Sequence, residues 1–253
     1  MVTNSITSTT IQRRSPITRK QSPVDKSTIQ LIDDSCHAAG DRHDFWINFM
    51  NTLDVRHAAE VGIFRGDFAE KMLRNCGQIE KYYMIDPWRN LDAWDKPANA
   101  DNNTFDLLML RSLEKTAFAG NRRVVLRGKT TEVIDRIPDD SLDFAYIDGD
   151  HTLKGIAIDL IRVYPKIKTG GFMGGDDFCP GPLQHFPQFE PTLVFPFAIY
   201  FAEAVSARIY TLPYEQFLIE KSLDCKFELI DYAGIITSTG LKDQILESMR
   251  DCR

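Results

Sequence analysis

From about His57 onward, short apolar runs alternate with stretches in which apolar residues return every three or four positions. "HAAEVGIF", "KYYMID", "RRVVLRG", "LDFAYID" and "GFMGGDD" read as five strands. "DFAEKMLRNC", "NTFDLLMLRSLEKTAF", "TTEVIDRI" and "LKGIAIDLIRVYPKI" read as the helices between them. Alternation of this kind predicts a parallel sheet with helices on both faces. The runs "YYMI" and "FAYI" suit strands buried on both sides. Upstream, "IQLIDDSC" and "RHDFWINFMNTL" predict amphipathic helices, the second grouping Phe45, Trp46, Phe49, Met50 and Leu53. Downstream, "LVFPFAIYFAEAVSA" predicts a helix, "ARIYTLP" and "EQFLIEK" a hairpin, and "GLKDQILESMRD" a closing helix. The expected fold class is therefore α/β, doubly wound, with no internal repeat.

Composition narrows the picture. With 43% hydrophobic and 26% charged residues, the 253-residue chain is ordinary for a soluble globular protein. No apolar run approaches the roughly 20 residues of a membrane helix, so no membrane partner is expected. Charge is uneven. Residues 1–26 hold Arg13, Arg14, Arg19, Lys20 and Lys26 against Asp25 alone, and are rich in Ser and Thr without an aromatic. Such a segment cannot bury enough apolar surface to fold, so a disordered basic tail is expected; the same composition suits an organelle transit peptide. The remaining body is acidic and ill suited to nucleic acid. Five cysteines scattered singly give neither a disulfide framework nor a zinc site, and point to a reducing, cytoplasmic setting.

Chemistry gathers where the predicted strands end. The first turn, "EVGIFRG", places Glu60, Gly62 and Gly66 where a ligand can approach the backbone; purely steric turns use glycine the same way. The spacing is neither a dinucleotide GxGxxG nor a phosphate loop. Asp86 closes the second strand, placed to accept from ribose hydroxyls, and Trp88 follows with a flat face for an adenine ring. Turn and acid together point to a nucleoside-bearing ligand. Asp148 ends the fourth strand, and Asp176 and Asp177 end the fifth. Neighbouring strands lie about 4.8 Å apart, so these carboxylates converge and repel unless positive charge sits among them. Mg²⁺ would answer that need; a metal-free site in which the acids bind ligand or cap loops is the alternative. His151 and Asp150 are rival general bases beside them.

In the order "EVGIFRG … YMIDPW … VVLRGKTTEVI … LDFAYIDGDH … LIRVYPKIKTGGFMGGDDF", the chain resembles class I S-adenosylmethionine-dependent methyltransferases. More narrowly it is similar to metal-dependent, sugar-type O-methyltransferases of small molecules. The match runs from about Ala58 to Phe178. The resemblance implies a Rossmann-like sheet of seven strands, mostly parallel with an antiparallel last strand. It implies a methionine end of the cofactor lined by Glu60, Gly62, Arg65 and Gly66, ribose held by Asp86, and adenine flanked by Trp88 and Thr130. It implies Mg²⁺ on Asp148, Asp176 and Asp177, with Asp148 also near the cofactor, and His151 or Asp150 as base. It further implies a small-molecule acceptor and a homo-oligomer. Lys129 departs from the pattern, standing where many relatives carry an acid, and residues 179–196 form a Pro-rich insertion.

The expected organisation is a tail over 1–26, a helical segment over 27–57, the methyltransferase domain over 58–221 and an extension over 222–253. The expected activity is methyl transfer to a hydroxyl, Mg-assisted, on a sugar or other vicinal diol. Alternatives are a metal-independent methyltransferase on another acceptor, a non-catalytic cofactor-binding module, and, disfavoured by glycine spacing, a nicotinamide oxidoreductase.

Overall fold

A computed structural model describes residues 26–37, 39–223 and 226–236. Residues 1–25 of the predicted basic tail and the predicted closing helix over residues 240–251 lie outside the described residues. Two helices, α1 (Lys26–His37) and α2 (Arg42–Thr52), precede the alternating region. It runs β1 (His57–Val61), α3 (Asp67–Asn75), β2 (Lys81–Asp86), α4 (Asn102–Lys115), β3 (Arg123–Arg127), α5 (Thr130–Val133), β4 (Leu142–Ile147), α6 (Leu153–Val163) and β5 (Ile167–Gly175). Then follow α7 (Val194–Ala204), β6 (Arg208–Leu212), β7 (Gln216–Glu220) and β8 (Glu228–Asp231). The sixth helix is shorter than its apolar pattern predicts. Pro165 enters a single 3₁₀ turn there, and the strand begins at once at Ile167.

One sheet contains all eight strands in the order β3-β2-β1-β4-β5-β7-β6-β8. Strands β1 to β5 pair in parallel, and β7 lies antiparallel to both β5 and β6. This is the doubly wound, mostly parallel architecture expected, with eight strands in place of seven. The additional strand, β8, pairs in parallel with the outer edge of β6. Its sequence, Glu228-Leu229-Ile230-Asp231, is too short and too acidic to announce itself as a strand.

Side-chain alternation distributes the core to two faces. In β4, Phe144 and Tyr146 join α2, α3 and α4 on one face, while Ala145 and Ile147 join α5, α6 and α7 on the other. On the first face Trp46 of α2 is fully buried and packs against Phe144 and Tyr146. Gly174 makes room for it, since a Cβ there would lie 2.3 Å from Trp46 Cη2. This packing sets α2 against the sheet beside the tips of β4 and β5.

The chain order reverses between β1 and β4, opening a crevice beyond their carboxyl ends. The closeness of these two ends explains Gly62. Its φ is 92°, and a Cβ would stand 1.9 Å from the carbonyl oxygen of Asp148.

Candidate active site

A cavity of about 450 Å³ fills the crevice. Of the predicted residues, Glu60, Gly62, Arg65, Asp86, Thr130, Asp148, Asp150, His151 and Asp177 line it. Gly66, Trp88 and Asp176 do not, each for a physical reason.

On the β1–β2 side, acids and backbone wire one another. Asp86 Oδ2 accepts from the N–H groups of Ile63 and Phe64, both at 2.9 Å, and Oδ1 accepts from Trp88 N at 2.7 Å. Burial raises the Asp86 pKa, opposed by these three N–H donors. Oδ2 thus already accepts two bonds, while Oδ1 accepts one and retains capacity for a hydroxyl. Trp88 is fully buried with φ of 38°, and its Nε1 donates to Phe64 O at 2.9 Å. The indole therefore braces the glycine loop from behind and presents no face to the cavity, which corrects its expected adenine role. Gly66 sits one step back as well: with φ of 76° it caps α3, and a Cβ would meet Ser112 Cβ at 2.8 Å. Glu60 is buried and accepts from Tyr82 Oη at 2.5 Å, and burial lifts its pKa well above the carboxylate range. Arg65 is half exposed, 3.4 Å from Asp67.

On the β4–β5 side, three groups converge. Asp148, His151 and Asp177 each offer a ligand atom, all within 4.8 Å of one another. His151 Nδ1 lies 2.6 Å from Asp177 Oδ2, and Nε2 lies 3.4 Å from Asp148 Oδ1 without a hydrogen-bond partner. Burial opposes a charged imidazole, yet the two carboxylates outweigh it and raise the His151 pKa to about 10. The same pairing lowers Asp177 against its own burial. Asp150 accepts from Trp94 Nε1 at 2.9 Å and Thr152 N at 3.0 Å, both on Oδ1, leaving Oδ2 open.

Asp176 is the remaining correction. It pairs with Arg42 of α2 and accepts from Gln216 Nε2, and it stands outside the convergent trio. The convergent set among the described residues is two carboxylates and an imidazole. That set fits a divalent ion, and the orphaned, buried Nε2 of His151 is the observation that favours one.

Several lining residues carried no sequence signal. Arg42 reaches the site from outside the alternating region. Asp159 of α6 accepts from Thr130 Oγ1 at 2.5 Å, and burial raises its pKa to about 7. Its seat among the apolar positions of "LKGIAIDLIRV" was the available clue. Lys96, buried in the β2–α4 loop, donates to Glu190 O (2.6 Å) and Pro191 O (3.0 Å), tying that loop to the Pro-rich insertion. The insertion is thereby the outer wall of the cavity, with His185 among the lining residues.

The comparisons agree with this geometry. A family model described as a methyltransferase domain matches residues 59–178, just under half of the chain. No curated protein sequence matches. An O-methyltransferase from Bacillus cereus, solved with S-adenosylhomocysteine, is 12% identical with a TM-score of 0.51, covering 78% of this chain and 90% of its own. A candidate caffeoyl-CoA O-methyltransferase from Staphylococcus aureus gives 13% and 0.53, covering 72% and 85%. The O-methyltransferase TomG of Streptomyces achromogenes, involved in tomaymycin synthesis and solved with S-adenosylmethionine, gives 11% and 0.50, covering 78% and 90%. At these identities the solved structures speak for the fold. The family match spans the strand tips, so residues 59–178 are similar to a methyltransferase domain. Among the described residues, no helix is long and apolar enough to cross a membrane.

Proposed function

We propose that the protein methylates a hydroxyl of a small molecule bearing two neighbouring oxygens, a sugar or another vicinal diol, with help from a divalent ion such as Mg²⁺. The observation that carries this reading is the convergence of Asp148, His151 and Asp177 in the wall of the cavity that Asp150 also lines. The names of the three similar structures given above, each an O-methyltransferase or a candidate one, support oxygen as the acceptor atom.

Glu60, Gly62 and Arg65 would line the methionine end of the cofactor, Asp86 would receive the ribose hydroxyls, and Thr130 would stand at the adenine end. The cofactor supplies a sulfonium methyl that is already electrophilic: the carbon–sulfur bond breaks as the carbon–oxygen bond forms, releasing S-adenosylhomocysteine. Asp148, Asp177 and His151 would hold a divalent ion, which supplies positive charge beside the acceptor oxygens and lowers the reacting hydroxyl's pKa. The protein's remaining work is positioning and removal of one proton. Asp150 takes that proton, its Oδ2 receiving no hydrogen bond from the chain. Trp94 orients the Asp150 carboxylate through its indole N–H.

The test is transfer of labelled methyl to a panel of catechols, sugars, simple alcohols and amines, with Mg²⁺ or with EDTA. Product on diols that disappears in EDTA is expected. Transfer indifferent to EDTA would remove the ion, and transfer to amines alone would remove the hydroxyl. In the same assay Asp150→Asn should lower turnover by about 10²-fold or more while S-adenosylhomocysteine still binds. Wild-type turnover in that variant would place the base elsewhere.

A further inference from the structure

Lys96 lies in a loop that is wired to itself before it meets the rest of the site. Asn99 Nδ2 donates to Leu91 O at 2.9 Å and to Trp94 O at 2.8 Å, and Asn99 Oδ1 accepts from Leu91 N at 3.1 Å. Trp94 Nε1 then fixes the loop to Asp150, the proposed base. Across the cavity, Leu193 N donates to His151 O at 3.0 Å and holds the Pro-rich insertion against the tip of β4. Lys96 Nζ joins the two walls through Glu190 O and Pro191 O. It therefore stands on the acceptor side of the cavity, among Leu91, Trp94, Pro97 and Ala98 of the lining.

Lys96 is only 4% exposed, and a cation so placed calls for a counter-charge. Among the described residues one other lysine is buried, Lys166, and it has its acid: Asp139 Oδ1 lies 2.6 Å from Nζ. Lys96 has none. Its two acceptors are neutral carbonyls, and among the described residues no carboxylate lies within 4.0 Å of Nζ. Burial lowers its pKa against the field of more distant acids, Asp150, Glu190 and Asp177. An ammonium carries three N–H donors, of which the two carbonyls use two. One donor and an unpaired positive charge remain beside an apolar stretch of the cavity.

We infer that Lys96 is a specificity-determining residue, whose ammonium receives an anionic group, a carboxylate or a phosphate, carried by the methyl acceptor. This deepens the function proposed above and rests on it: the acceptor is a hydroxyl compound that is also an acid. The loop that orients the base through Trp94 would then also hold the far end of the acceptor, two residues further on.

The experiment is labelled methyl transfer by the full chain, with Mg²⁺, to matched acceptors: protocatechuate against its neutral amide, and glucuronate and a glucose phosphate against glucose. Wild type should favour a charged member over its neutral partner by about tenfold or more in kcat/KM, the worth of one hydrogen bond to a charged group. Lys96→Gln keeps N–H donors for the two carbonyls and drops the charge, and should bring that ratio to about one. Lys96→Arg keeps the charge and should keep most of the preference. Binding of S-adenosylhomocysteine checks that each variant is folded. A wild-type ratio near one in every pair would overturn the inference whether or not Lys96→Gln folds, and would leave the hydroxyl reading standing. An undiminished ratio in Lys96→Gln would overturn it too, as would equal losses on charged and neutral members, the mark of a residue that only ties two loops. Transfer to amines alone would overturn it together with the hydroxyl reading.

Discussion

Asp86 and Asp176 both end strands of the same sheet, and they are held in opposite ways. Asp86 is gripped by three backbone N–H groups, two from the neighbouring strand's loop and one from two residues on. Asp176 is gripped by side chains, Arg42 from 134 positions upstream and Gln216 from 40 positions downstream. Backbone donors come with the fold itself, so any chain that makes this turn has them. Side-chain donors come only with particular residues at distant positions. The β1–β2 half of the crevice is therefore generic and the β4–β5 half individual, the division that the proposed function calls for, one methyl donor serving many acceptors.

The largest effect that would break this contrast is expected from Asp86→Ala. Three N–H groups lose their acceptor, at about 1–3 kcal/mol for each one left buried and unpaired, and the glycine loop loses its anchor. Calorimetry should show S-adenosylhomocysteine affinity reduced by about tenfold or more, with a lower melting temperature. Unchanged affinity would remove Asp86 from the cofactor site.

Gln216→Leu attacks the side-chain half. Trp46 Nε1 and Tyr146 Oη lose their shared acceptor in a fully buried place, and Asp176 loses a donor. Denaturant unfolding should show a loss of about 2–4 kcal/mol, with cofactor affinity little changed. A large loss of cofactor affinity in a folded variant would mean that the two halves are not separable.

The contrast also explains what could be read from sequence. Apolar runs alternating with helical periodicity suffice for the doubly wound sheet, because each strand is buried on both faces. The glycine turn and the acids at strand tips were legible because their chemistry is local. Trp88 was misread because an aromatic after Asp-Pro fits equally a ligand face or an inward plug; its φ of 38° and its bond to Phe64 O turn it inward. The partners of Asp176 were not legible because Arg42 and Gln216 meet it only in three dimensions. The crowding of carboxylates was legible from the strand tips, while one charge that balances it, Arg42, reaches them from a distant helix.

The smallest expected effect is a pH slope. Burial raises the Asp159 pKa from 3.8 to about 7, so the folded state holds a proton that the unfolded state releases. The contribution favouring the fold is complete below about pH 4 and is lost as pH rises through about 7. Asp159→Asn should flatten the melting-temperature profile across that window, while wild type declines through it. Parallel profiles would show that Asp159 titrates normally.

The central claim is that the crevice beyond β1, β2 and β4 takes the adenosyl cofactor. Titrating S-adenosylhomocysteine into the purified full chain, monitored by heat, tests it most directly. The account predicts binding of one molecule per chain in the micromolar range, weakened by Asp86→Ala and kept in Asp177→Asn. No heat with wild type, with or without Mg²⁺, would contradict it.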